Sequence, residues 1–244
     1  MPETQLTAIL LAGGKGERLG DICKDIPKPM VKVAGNPFIE HIVQYLEKKG
    51  VKKFVFLTGY LGNVIEDYFT ANNPTELSFT FIREKEPLGT GGAVANAINT
   101  LDMTMPFLLL NGDSFAPCSF RSLAAAATGC HGSLVALPAP KGQRYGYLQH
   151  TSNLLTGFSE KQSTDDIGPS LINGGIYYLS PALFDNVDDT QPHSIERDLF
   201  PAWIELGKKF MLFESKTGFL DIGTPESLAQ ADEFILKLKS NNLL

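Results

Sequence analysis

Short apolar runs alternate with stretches of helical spacing from one end of the chain to the other. Residues 6–11 form an apolar run that stops at Gly13-Gly14, as a strand buried on both faces does. Residues 37–49 then place Phe38, Ile42 and Leu46 on one helical face, with Glu47, Lys48 and Lys49 near the end. Further strands are predicted over 53–58, 77–82 and 106–110, the last ending at Asn111-Gly112-Asp113, with helices over 63–69 and 89–100 between them. A helix over 119–127 and a strand over 132–137 continue the alternation. The segment 144–180 breaks it: 145–149, 154–159 and 172–179 read as strands joined by short polar loops. One more strand is expected over 208–214, and helices over 194–206 and 225–239. The second of these starts on Thr224 as N-cap and Pro225 at N1. The pattern predicts one α/β domain spanning 1–244, with a mostly parallel sheet and a β-rich insertion.

Composition agrees with this picture. At 244 residues, 43% hydrophobic and 20% charged, the chain has the profile of a soluble globular protein that can bury a core without a staple. No apolar run reaches membrane-spanning length, and the first residues lack a basic signal-peptide region, so a cytoplasmic protein with no membrane partner is expected. Three cysteines (Cys23, Cys118 and Cys130) make no CxxC and no even framework, as suits a reducing compartment. The formal net charge of -6 argues against nucleic acid as a partner. A small anionic ligand is compatible with it, because local charge decides.

Local charge reverses at Leu11-Ala12-Gly13-Gly14-Lys15-Gly16-Glu17-Arg18-Leu19, followed by Pro27-Lys28-Pro29. Successive N–H groups of a glycine loop after a strand make an anion nest, and Arg18, Lys24, Lys28 and Lys32 add positive charge. A dinucleotide fingerprint fails here, because Leu19 stands where the third glycine belongs and the second strand ends in Thr58-Gly59 without a carboxylate. A P-loop is absent too. Taken alone, the loop could equally be an ordinary glycine-rich turn beside surface lysines.

The order of motifs resembles the sugar-1-phosphate nucleotidyltransferases over nearly the whole chain. The matching pieces are Leu11–Leu19 with Pro27-Lys28-Pro29, Pro87–Ala93, Asn111-Gly112-Asp113, Glu160-Lys161, Asn173–Tyr177 and Phe219–Pro225. A narrower likeness, to the D-glycero-α-D-manno-heptose 1-phosphate guanylyltransferases, is carried by Lys24–Met30, Pro37-Phe38 and Ile195–Pro201. The resemblance implies a Rossmann-like mixed sheet with helices on both faces and a small β-rich sugar-binding insertion. It implies condensation of an NTP, GTP favoured, with a sugar 1-phosphate to give an NDP-sugar and pyrophosphate. UTP or CTP as donor, or a non-catalytic nucleotide-sugar-binding protein, are the alternatives. A monomer or homodimer is expected.

By the same resemblance, Leu11, Ala12, Gly13, Gly14, Gly16, Pro87, Gly89, Thr90 and Gly112 would hold the nucleotide. Arg18 would meet the β,γ-phosphates and Lys28 the α-phosphate. Asp113 and Asp221 would bind Mg²⁺, and Gly146, Glu160, Lys161 and Asn173 the sugar phosphate. The chemistry suits these residue types. Nucleotidyl transfer is mostly positioning and charge stabilisation, and a phosphate nucleophile is already largely dianionic at neutral pH. No Ser-His-Asp set is needed. Two carboxylates with phosphate oxygens and water suit Mg²⁺, although each aspartate follows an apolar run and could instead be a turn residue. Two departures from the family pattern stand out: Glu17 occupies a position commonly held by Thr, and 162–170 interrupt the spacing after Glu160-Lys161. A glycosyltransferase is disfavoured because Asn111-Gly112-Asp113 lacks the first carboxylate of Asp-x-Asp.

Overall fold

The computed structural model describes residues 6–14, 16–73, 77–139, 146–159 and 170–244. In chain order the strands and helices are β1 (Thr7–Ala12), β2 (Lys32–Val33), β3 (Asn36–Pro37), α1 (Phe38–Lys48), β4 (Lys53–Thr58), α2 (Gly62–Ala71), β5 (Ser78–Arg83), α3 (Gly89–Thr100), β6 (Phe107–Asn111) and β7 (Ser114–Phe115). They continue as α4 (Phe120–Ala126), β8 (Gly132–Pro138), β9 (Tyr147–Thr151), β10 (Leu154–Ser159), β11 (Leu171–Leu179), α5 (Phe200–Glu205), β12 (Phe210–Glu214), β13 (Leu220–Asp221), α6 (Pro225–Ala229) and α7 (Ala231–Ser240). Among the described residues, no helix is long and apolar enough to cross a membrane.

The chain divides into two compact units. The first comprises residues 1–87, 109–115 and 220–244, the second 88–108 and 116–219. In the first unit β1, β4 and β5 run parallel in unbroken register, Thr7 opposite Lys53 and Lys53 opposite Ser78. The apolar runs are continuous because both sheet faces are covered: Ala8, Ile9 and Leu10 are completely buried, as are Phe54 and Phe56 within rounding. Phe56 stacks on Phe81 and meets Phe69 of α2. Helix α1 buries Phe38, Ile39, Ile42 and Leu46, each contributing about 1.5–3 kcal/mol of transfer free energy.

In the second unit β8 pairs antiparallel with β11 and parallel with β12, and β10 pairs antiparallel with both β12 and β9. Strand β9 reaches back to β11 at Tyr147 opposite Ile172. Phe200 is the centre of an aromatic core that includes Tyr177, Trp203 and Phe210.

Two predicted helices differ from expectation. Residues 194–206 are not one α-helix but a π-turn over Ile195–Leu199 followed by α5. Pro201 lies in the first turn of α5, where its missing N–H and its ring prevent a regular helix from running through. The predicted 225–239 helix bends at Gln230 into α6 and α7. α6 buries no residue, whereas α7 buries Ala231, Ile235 and Leu238; packing therefore orients only the second segment.

His41 is completely buried on α1, with Nε2 donating to the Val33 carbonyl at 2.7 Å. Burial pushes its imidazole below the ordinary histidine value, against the opposing pull of that bond. A group of this kind contributes stability fully above its unfolded value of about 6.5 and loses it as pH falls. We expect the unfolding free energy to drop with pH below about 6.5, and His41→Leu to reduce that slope relative to the parent. His131, also shifted downward by burial, leaves a residual slope in both. Denaturant titrations from pH 8 to 5 measure it; identical slopes would rule out the assignment.

Candidate active site

The strand ends of the first unit surround a cavity of about 1090 Å³ lined by Gly13, Gly14, Gly16, Arg18, Lys28, Gly59, Tyr60, Arg83, Glu84, Lys85, Glu86, Pro87, Asp113 and Gly223. It lies at the carboxyl ends of β1, β4, β5 and β6, where open α/β sheets bind ligands. The loop after β1 supplies backbone. Gly16 has φ +67°, and a Cβ there would meet Cys23 Sγ at 3.0 Å and Lys28 Cβ at 3.2 Å, so the fold itself requires this glycine. Gly14 is different. A Cβ there would meet nothing within 4 Å. It faces open cavity, and a glycine there leaves room for a ligand to approach the backbone.

Lys28 is held in a tight turn between Pro27 and Pro29, with Val31 N donating to Lys28 O at 3.1 Å. It is only 6% exposed. Its ammonium donates to Asp113 Oδ2 at 2.5 Å and lies 3.5 Å from Asp221 Oδ1. The aspartates are far apart in sequence, yet a two-residue antiparallel ladder joins them, pairing Asp221 with Ser114 and Leu220 with Phe115. Ile222 N donates to Asp113 O at 3.0 Å and closes the ladder. A Cβ on Gly223 would lie 2.8 Å from Asp221 Oδ1 and 3.0 Å from Arg18 Nη2. Glycine there lets the guanidinium and the carboxylate share that space.

The donor set can be tested for a cation. Asp113 and Asp221 already converge on one positive group, and their side chains keep 36% and 29% of their exposure. Among the described residues, no three His, Cys, Asp or Glu side chains gather. Two hard carboxylates with access to water fit Mg²⁺, which retains waters and accepts substrate oxygens, better than a closed zinc or calcium cage.

Leu11 and Ala12 close β1, and Gly112 N donates to Leu11 O at 2.9 Å. Of the basic residues singled out, Arg18 and Lys28 line the cavity. Lys24 and Lys32 are exposed and do not. Arg83 and Lys85 join them instead, from the end of β5. Sequence reasoning passed over this pair, although the rule that ligands sit at strand ends applies to β5 as well. Tyr60 was also missed; its hydroxyl donates to Lys24 O at 2.9 Å.

Pro87 lines the cavity of the first unit, whereas Gly89 and Thr90 begin α3 in the second. There Gly89 has φ +64°, and a Cβ would meet His193 O at 2.6 Å. Gly91 N donates to the same carbonyl at 2.7 Å, and Thr90 Oγ1 accepts from Ile195 N at 2.9 Å. Part of this glycine-rich motif is thus explained by close backbone approach. Gly146 is exposed, and its carbonyl accepts from Asn173 N at 3.4 Å. Asn173 opens a bulge in β11, with Gly175 N donating to its Oδ1 at 3.1 Å. Its amide also reaches Tyr177 and Glu196, a residue of the Ile195–Pro201 motif that the sequence reading gave no site role. The Tyr177 hydroxyl is pushed well above the ordinary phenol range by burial and by the adjacent Glu196, and stays protonated. Glu160 and Lys161 lie outside the described residues.

A glycine loop at parallel strand ends, beside a buried lysine between two aspartates, suits an anionic ligand in an α/β fold. The chain belongs to the nucleotidyl transferase family, whose pattern its residues 7–238 match. It is 32% identical over 231 residues to the D-glycero-alpha-D-manno-heptose 1-phosphate guanylyltransferase of Aneurinibacillus thermoaerophilus, covering 93% of this chain and 97% of that one. The structure of HddC from Yersinia pseudotuberculosis complexed with GMP-PN superposes with TM-score 0.81 at 32% identity, covering 93% and 98% of the two chains. The mannose-1-phosphate guanyltransferase of Schizosaccharomyces pombe is 33% identical over 91% of this chain, which spans 62% of that protein's length.

Two glycines differ in what surrounds them: Gly89 is crowded by the His193 carbonyl and Gly14 faces open space. Gly89→Ala should cost more than about 1 kcal/mol and lower the melting midpoint by more than about 2 °C. Gly14→Ala should leave the midpoint unchanged and raise the KM for nucleotide. Calorimetry with steady-state kinetics checks both; a destabilised Gly14→Ala with normal KM would reverse the reading.

Proposed function

We propose that the protein condenses GTP with a sugar 1-phosphate, a heptose 1-phosphate first among them, to give a GDP-sugar and pyrophosphate. The observation that carries this is the convergence of Asp113 and Asp221 on the buried Lys28 ammonium beside the glycine loop. The guanylyltransferase relatives support the base and the sugar class.

The reaction brings anions together. An oxygen of the sugar phosphate attacks the α-phosphorus in line, the bond to the β-phosphate oxygen breaks, and pyrophosphate leaves with that electron pair. The nucleophile is already ionised near neutral pH, so no protein base has to remove a proton. The enzyme supplies position and countercharge. In this reading the backbone N–H groups around Gly13 and Gly14 approach the phosphates, Arg18 holds the β,γ-phosphates and Lys28 the α-phosphate. Arginine can grip two oxygens at once, whereas lysine acts as a compact point charge. Leu11, Ala12, Pro87, Gly89, Thr90 and Gly112 are assigned to the nucleoside, and Gly146, Glu160, Lys161 and Asn173 to the sugar phosphate. Mg²⁺, held by Asp113 and Asp221, would neutralise developing charge when bound.

Pyrophosphate release across four NTPs and a panel of sugar 1-phosphates tests the reading. GTP with a heptose 1-phosphate should be the best pair; no release with any pair would overturn it. Asp113→Asn should cut kcat by at least about 10²-fold in Mg²⁺, on the scale of lost transition-state electrostatics. Asp221 still neutralises Lys28 in that variant, so a near-parental melting midpoint is expected alongside. Near-parental turnover would remove Asp113 from the metal site. Lys161→Ala should raise the KM for the sugar phosphate more than that for GTP; equal shifts would remove its role.

A further inference from the structure

Asn173, Tyr177 and Glu196 form a closed hydrogen-bonded set within the second unit. Asn173 Nδ2 donates to the Tyr177 hydroxyl oxygen at 2.6 Å and to Glu196 Oε1 at 2.8 Å. The Tyr177 hydroxyl in turn donates to Glu196 Oε1 at 2.7 Å. A primary amide has two N–H bonds and a phenol one O–H, so the donors of both side chains are used. What the set still offers is acceptor capacity. Glu196 Oε2, in particular, takes no hydrogen bond or ion pair among the described residues.

Glu196 is also held rigidly. It stands on the π-turn Ile195–Leu199, whose flanking residues Ile195 and Leu199 are buried. Ser194 Oγ accepts from Arg197 N at 3.2 Å, Ser194 N donates to Asp198 Oδ2 at 2.6 Å, and Ile195 N donates to Thr90 Oγ1 at 2.9 Å. π-Turns of this kind concentrate at functional sites. The carboxylate remains half-buried, within reach of a ligand. A fixed, negatively charged acceptor whose second oxygen has no donor among the described residues repels phosphate and accepts from hydroxyl groups.

We propose that Glu196 reads the polyol ring of the sugar 1-phosphate: Oε2 accepts one ring hydroxyl, and Asn173 and Tyr177 are positioning residues that hold Oε1. The assignment rests on the sugar-1-phosphate reading above and divides the substrate chemically. Asn173 serves the hydroxyl end through Glu196, and the phosphate end belongs to cationic groups.

The test uses the full-length enzyme, GTP, a sugar 1-phosphate that the parent turns over, and the set of its singly deoxygenated analogues. Glu196→Gln, which replaces Oε2 with a donor while keeping the shape, should raise the KM for the sugar phosphate at least about tenfold and leave the KM for GTP within about twofold. Glu196→Asp should recover part of the loss. In the parent, one deoxy analogue should be turned over far less efficiently than the full sugar, because the carboxylate loses its donor. Glu196→Gln should no longer distinguish that pair. A variant that weakens every analogue alike, with a lowered melting midpoint, would show a merely structural role and overturn the assignment. So would an unchanged KM. A parent inactive with every nucleotide and sugar pair would overturn the proposed function, and this assignment with it; an active parent with an unselective variant overturns the assignment alone.

Discussion

A buried ammonium has to be neutralised where it lies. Lys28 is pinned by two prolines on a turn that allows it little freedom, and taking its charge out of water would be costly without partners. Asp113 and Asp221 meet that requirement, and much of the first unit's architecture serves to bring them there. Strand β6 delivers Asp113, the short β7–β13 ladder delivers Asp221, and Gly223 leaves room for Arg18 beside it. The same arrangement gives the site its chemistry. Cations and carboxylates balance one another in the protein alone, and a polyphosphate entering the cavity can draw on the cations.

The second unit works by a different balance. The amide of Asn173, at its bulge, uses up its donors and leaves the half-buried Glu196 carboxylate with an acceptor oxygen free among the described residues. The first unit gathers positive charge around a backbone nest, and the second presents carboxylate lone pairs on a stiff turn.

Much of this was legible in the residues. Strand 53–58 lies where the apolar pattern puts it, because burial on both faces leaves little choice of boundary, and 154–159 also matches although only Leu155 is buried there. The glycine loop, Lys28 and the two aspartates were found through motif order. What the sequence did not reveal depends on distant pairing. The β7–β13 ladder is two residues long on each side, too short for a periodic signal, and it exists only because its halves meet. Arg83 and Lys85 look like ordinary surface charge until β5 is aligned with β4. Glu196 was read as part of a plain helix, and Pro201 was the neglected hint that this helix could not be regular. Gly89, expected at the nucleotide, also has the His193 carbonyl as an immediate neighbour, a close approach that motif order does not reveal.

The ladder between Ser114 and Asp221 has a consequence for biosynthesis. Lys28 emerges from the ribosome long before its second carboxylate, which follows 193 positions later. At roughly 5–20 residues per second, the interval is on the order of 10–40 s. Throughout that time the nascent amino-terminal strands have their lysine but not the segment that completes their unit. The Lys28–Asp221 contact is therefore among the last parts of the first unit to form.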